Sequence, residues 1–183
     1  MSVPPPGSLT QLERAAAFDP ALPDAYEPLF VGERRVALDE VLTRYPTRMA
    51  ALLPALWMVQ EARGWVSEAA MAEVAEVLHV TPAYVKGVVT FYTMYHQRPV
   101  GRHFVQVCTT SPCNVCGAED VVRAFLTHTG SGEIGATSPD GRFTVIEVEC
   151  LGACGFATPI MIDEDVIEGV TAAQVPEIIA RYP

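Results

Sequence analysis

The chain has 183 residues, half of them apolar and 19% charged, with a formal net charge of -10. That length allows one ordinary domain, or a small helical domain joined to a small α/β one, and the composition is that of a folding chain rather than a disordered one. The acidic balance disfavours nucleic-acid phosphates and anionic lipid as partners, and no uncharged apolar run approaches the roughly 18 residues that suggest a transmembrane helix.

The N-terminus shows neither a secretory pattern nor an Arg-rich transit pattern, its first charges being Glu13, Arg14 and Asp19. A cytoplasmic chain without direct membrane insertion is the expectation. Residues 1–35 carry Pro4, Pro5, Pro6, Pro20, Pro23 and Pro28 with no sustained period. They read as an extended, proline-rich arm that orders against a partner.

Residues 36–98 read as four short amphipathic helices forming a small bundle. Leu38, Val41, Leu42 and Tyr45 lie on one stripe, which Pro46 ends. Met49, Leu52, Leu53 and Leu56 mark a second helix ended by Gly64, with Pro54 implying a kink or a later start. The third has Ser67 as N-cap and Met71, Val74, Ala75 and Leu78 at helical spacing. For the fourth, Thr81 is the expected N-cap, Pro82 the first helical residue, and Val85, Val88, Val89 and Tyr92 the stripe.

From Pro99 the period changes, so residues 99–183 are expected to be a separate α/β domain. His103 to Cys108 reads as a strand, Ala118 to His128 as a helix, Arg142 to Val148 as a second strand and Ile160 to Ile162 as a third, with a last helix after Thr171. Thr171 and Gln174 match a capping box, although Pro176 blurs that helix start. The expected order is β, α, β, β, α, and the fold class α+β or α/β.

All five cysteines lie in this domain. Cys108 and Cys113 form a C-x4-C pair after one strand, and Cys150 and Cys154 a C-x3-C pair after another. Two thiols at each of two strand ends suit a [2Fe-2S] cluster, which takes two thiolates per iron. Spacing leaves rivals open: a closed tetrahedral zinc site in a structural or interaction protein, or a thiol-disulfide pair at Cys113-Asn114-Val115-Cys116. Within the iron-sulfur reading, Cys108, Cys113 and Cys116 also satisfy C-x4-C-x2-C, the plant-type ferredoxin spacing, with either later cysteine as fourth ligand.

Other signals carry less. Gly130-Ser131-Gly132-Glu133-Ile134-Gly135 matches the dinucleotide glycine fingerprint but follows a helix instead of a strand, so it reads as a flexible surface loop. Helices three and four imitate a helix-turn-helix, yet Glu68, Glu73 and Glu76 oppose DNA and Lys86 is nearly the only cation available. His79, His96, His103 and His128 lie outside both cysteine pairs, leaving a Rieske-type site without ligands.

The segments LLPALWMVQEARGWV, VTPAYVKGVVTFYTMY, PVGRHFVQVCTTSPC and VECLGACGFATP resemble the small [2Fe-2S] subunit of respiratory complex I, over about residues 36 to 183. The resemblance implies a helical bundle joined to a thioredoxin-like domain, with one [2Fe-2S] cluster on Cys108, Cys113, Cys150 and Cys154, and Cys116 spare. It implies an electron-transfer subunit of NADH:quinone oxidoreductase with no substrate site of its own. NADH and FMN would be held by the partner flavoprotein subunit, and the location would be peripheral, on the cytoplasmic face of the inner membrane. The same subunit type occurs in NAD-linked formate dehydrogenases and hydrogenases, which are the alternative parent complexes. The sequence departs from the family at Cys116 and at Ala157-Thr158-Pro159, where members commonly read Ala-Pro before an apolar strand.

Overall fold

The computed structural model describes residues 26–183, so most of the expected N-terminal arm lies outside the described residues. The chain divides into two compact units, one ending at Pro99 and the other running from Val100 to Pro183.

In the first unit the described residues form four α-helices: α1 Gly32–Thr43, α2 Leu52–Arg63, α3 Glu68–Leu78 and α4 Pro82–Phe91. Helix therefore begins before the expected end of the arm at residue 35, because nothing in Gly32 to Arg35 after Pro28 forbids it. A 3₁₀ turn, Arg48–Ala51, capped by the Thr47 side chain, leads into α2. Pro54 consequently falls in the first turn of α2, where its missing N–H costs nothing, and the helix has a later start and no broken hydrogen bond. Gly64 caps α2 in the left-handed conformation with φ 79°. Ser67 and Thr81 cap α3 and α4 by accepting from the Ala70 and Tyr84 N–H groups. Leu38, Leu56, Val59, Val74, Leu78, Val85 and Val89 share one buried cluster.

Two polar ties close this unit. The Gln60 side chain donates to the Met94 carbonyl at 2.8 Å and accepts from the His96 N–H at 2.7 Å. Glu73 on α3 accepts from the Leu29 N–H at 3.0 Å, the Phe30 N–H at 2.8 Å and the Tyr26 hydroxyl. It thereby fixes the chain entering α1. Arg63 lies over the Tyr26 ring, 4.3 Å from its centre. Burial first, and then the Glu73 carboxylate that accepts its proton, push the Tyr26 hydroxyl well above its ordinary pKa.

The second unit is built on a sheet with strand order β2-β1-β3-β4. Its strands are β1 His103–Cys108, β2 Phe143–Val148, β3 Ile160–Ile162 and β4 Asp165–Ile167. Strands β1 and β2 are parallel, with His103 opposite Phe143 and Cys108 opposite Val148. Strands β3 and β4 continue the sheet antiparallel. A parallel pair needs a crossover, here supplied by the short helix α5, Ser111–Val115, and by α6, Ala118–Thr129. The apolar side of α6 (Val121, Val122 and Phe125) packs with Val105, Val107, Val145 and Ile160 of the sheet and with Val175 and Ile178 of the last helix α7, Val175–Ile179.

Two elements were not expected. Helix α5 is too short to show a period, and β4 hides behind Asp163-Glu164-Asp165, residues depleted in strands. Asp163 makes the two-residue β3–β4 turn at φ 55° while its carboxylate accepts from the Phe104 N–H and contacts the His103 ring. The glycine-rich segment is not a free loop. Gly135 donates to the Val145 carbonyl and Ser138 to the Phe143 carbonyl, both at 2.7 Å, and Thr137 bridges Thr144, so the segment runs along the outer edge of β2. At Gly101 a Cβ would sit 2.8 Å from the Phe143 carbonyl carbon and 2.9 Å from the Arg142 backbone, so only glycine fits that approach.

Candidate metal centre

Parallel pairing sends the segments after β1 and β2 out of the same end of the sheet. Cys108 is the last residue of β1, and the Thr109 N–H extends the ladder by one bond to the Val148 carbonyl at 3.0 Å. Cys150 follows two residues later, so both cysteine segments start side by side.

Thr110 precedes α5, and Pro112 occupies its first turn, where no N–H is needed. The turn carries Cys113 inward. Its Sγ lies 3.2 Å from that of Cys108, and both residues are buried, with Ala118, Leu151 and Ala157 around them. Cys116, at the end of α5, donates its backbone N–H to the Cys113 carbonyl at 3.0 Å and is exposed. Cys150 and Cys154 are exposed as well. Gly152, between them at φ 77°, donates its N–H to Cys150 Sγ at 3.3 Å. Cys154 opens a 3₁₀ turn to Phe156.

The two buried thiols are shifted in opposite directions. Burial works against a Cys108 thiolate, but bonds with the Thr110 N–H, the Cys113 thiol, the Leu151 N–H and the Thr110 hydroxyl together hold the thiol below its ordinary pKa. Burial raises Cys113 to about 12, helped by Cys108 and then by Cys154 and Cys116. Cys113 donates to Cys108 across the 3.2 Å between their sulfurs.

The structure thus brings Cys108 and Cys113 together and sets Cys154 and Cys116 close enough to influence Cys113. It does not gather three or more cysteine, histidine or carboxylate side chains of the described residues into a finished metal-holding group. Both cysteine loops share one end of the sheet, soft thiol donors are present, and backbone N–H groups point at two of the sulfurs. That donor set fits an iron-sulfur cluster, in which N–H···S bonds are a regular means of setting potential. Glu149 and Glu119 add exposed carboxylates beside the cysteine segments, while the N-terminus of α6 opens directly after Gly117. Residues with no sequence signal also shape this end, notably Leu151 through its N–H and the fully buried Thr158.

Fold and site together define a small α/β domain with a thiol-rich rim where parallel strands end. The family model for the thioredoxin-like [2Fe-2S] ferredoxin matches residues 38–183, and the chain belongs to that family. It is 40% identical over 147 residues to the mitochondrial NADH dehydrogenase (ubiquinone) flavoprotein 2 of Dictyostelium discoideum, covering 79% of this chain and 59% of that protein. It is 38% identical over 157 residues to NADH-quinone oxidoreductase subunit 2 of Thermus thermophilus, covering 82% of this chain and 84% of that protein. Among solved structures, an NAD+-reducing [NiFe]-hydrogenase in its H2-reduced state shares the fold with a TM-score of 0.59 at 20% identity, over 72% of this chain and 22% of that one.

Proposed function

We propose that this chain is an electron-transfer subunit of an NADH:quinone oxidoreductase, carrying one [2Fe-2S] cluster on Cys108, Cys113, Cys150 and Cys154. The observation that carries the reading is the parallel β1–β2 register, which starts a C-x4-C and a C-x3-C segment side by side. Two relatives whose names place them in NADH dehydrogenases acting on quinones support the parent complex. When bound, the cluster supplies one-electron transfer and nothing else. The protein's own residues do the rest. Cys108 and Cys113 offer two thiols from a buried site, Cys150 and Cys154 offer two from an exposed loop, and the N–H groups of Gly152, Leu151 and Thr110 favour negative charge on sulfur. Glu149 and Glu119 oppose an added electron and favour a low potential.

Under this reading the described helices form a four-helix bundle that, with the proline-rich arm, docks on other subunits of the peripheral arm, foremost the one holding NADH and FMN. The bundle then begins at Gly32 and ends by Pro99, the cluster domain runs from Val100 to Pro183, and the chain sits on the cytoplasmic face of the membrane through the complex. No helix of the described residues is long and apolar enough to cross a membrane. Lys86, the would-be DNA contact, is paired with Glu68 at 2.6 Å, which weighs against nucleic acid. Anaerobically purified protein is expected to be brown, with about two irons and two acid-labile sulfides per chain. Zinc near one equivalent without visible absorption refutes the electron-carrier reading.

A further inference from the structure

Several buried hydroxyls have evident duties in the sheet: Thr144 accepts from the Gly101 N–H, and Ser138 accepts from the Phe143 N–H. Thr158, with no exposed surface, has a different one. Its hydroxyl donates to the Cys113 carbonyl at 3.5 Å. Its two neighbours also reach the first cysteine pair. Ala157 packs against Cys108, Cys113 and Ala118, and the Pro159 carbonyl accepts from the Cys108 N–H at 3.3 Å. The Thr158 carbonyl is meanwhile held by the Val170 N–H at 2.8 Å. Residues 157–159 carry no thiol, yet they hold the backbone of both Cys108 and Cys113.

We propose that Thr158 is a positioning residue for the first cysteine pair, its hydroxyl tying α5 at Cys113 to this buried segment so that the two sulfurs stay side by side. The inference rests on the reading of Cys108 and Cys113 as cluster ligands. The Cys113 carbonyl also accepts from the Cys116 N–H within the same turn, so the Thr158 hydroxyl is the donor that reaches it from outside α5. Valine has the β-branching of threonine without the donor, so Thr158→Val removes this tie and leaves the branched shape in place. A bond at 3.5 Å stands at the outer limit of hydrogen bonding, and the expected effect is correspondingly moderate.

The test uses the full chain with its cluster reconstituted anaerobically, as wild type, Thr158→Val, Thr158→Ser and Cys113→Ser. Iron loss to a chelator, the EPR line shape after dithionite reduction and the thermal unfolding of each protein are measured. Thr158→Val is expected to lose iron roughly 2- to 10-fold faster with a broadened EPR signal and unchanged unfolding, while Thr158→Ser releases iron at the wild-type rate. Equal release from Thr158→Val and wild type, with Cys113→Ser defective, overturns the inference alone. Faster release that merely follows a lowered unfolding temperature makes Thr158 an ordinary core residue and also overturns it. A Cys113→Ser protein that keeps its full cluster sinks the ligand assignment, and this inference with it.

Discussion

Replacing Glu73 with glutamine tests whether one carboxylate fastens the N-terminal approach to the helical unit. Glu73 receives three donors from a segment more than forty positions away: the Tyr26 hydroxyl and the Leu29 and Phe30 N–H groups. Hydrogen bonds to a charged group contribute about 1.5–3 kcal/mol each, against about 0.5–1.5 for neutral ones, so neutralising the acceptor removes roughly 1 kcal/mol per bond. Three bonds on one carboxylate share a single charge and do not add in full, and the site is only partly buried. A loss of about 2 kcal/mol follows. Both tryptophans, Trp57 and Trp65, lie in this unit, so urea unfolding followed by tryptophan fluorescence reports on it without interference from the sheet domain. With a slope near 1 kcal/mol/M, the midpoint should fall by about 2 M. A shift below about 0.5 kcal/mol, the ordinary size of a surface substitution, would show that the Glu73 charge adds no net stability to these bonds.

Cys116→Ser should keep iron, sulfide and the EPR signal of the reduced protein, because Cys116 is outside the proposed ligand set; loss of the cluster would favour the plant-type ligand pattern instead. Serine at Cys113 combined with Cys116→Ser should be no worse than Cys113→Ser alone, unless Cys116 substitutes for it as a ligand. Gly101→Ala should destabilise the sheet domain by about 1–3 kcal/mol, since the new Cβ meets the rigid backbone of Arg142 and Phe143. Amide hydrogen exchange in β1 and β2 would report it, and unchanged protection would show that the close approach relaxes freely.

Helix ends marked by a capping residue were the most legible feature of the sequence, because their chemistry is local. Ser67 and Thr81 cap the helices they announce, and Gly64 ends the one it follows. Strands β1 and β3 carry enough β-favouring residues to stand out within one residue of their bounds. What escaped was set by partners distant in sequence. Glu73 reads as one of several surface acids on α3, and only the folded chain shows Tyr26, Leu29 and Phe30 converging on it. At the site, the cysteine spacing pointed to one end of the sheet, but no spacing rule distinguishes two buried thiols from three exposed ones. That distinction comes from α5, too short to announce itself, and from Thr158, whose neighbour Cys113 lies far back along the chain.

The course of residues 133–138 along β2 also matters for life in a crowded assembly. A strand with a free flank offers a row of unpaired N–H and C=O groups to any extended peptide that drifts past. Here one flank is already occupied by the chain's own Gly135 and Ser138, and the other ends in the three residues of β4, introduced by Asp163 and Glu164 and opened by Asp165. The sheet therefore discourages extension from either side. Neighbouring chains are left to recognise side chains and helices, which keeps association selective where many polypeptides are packed together.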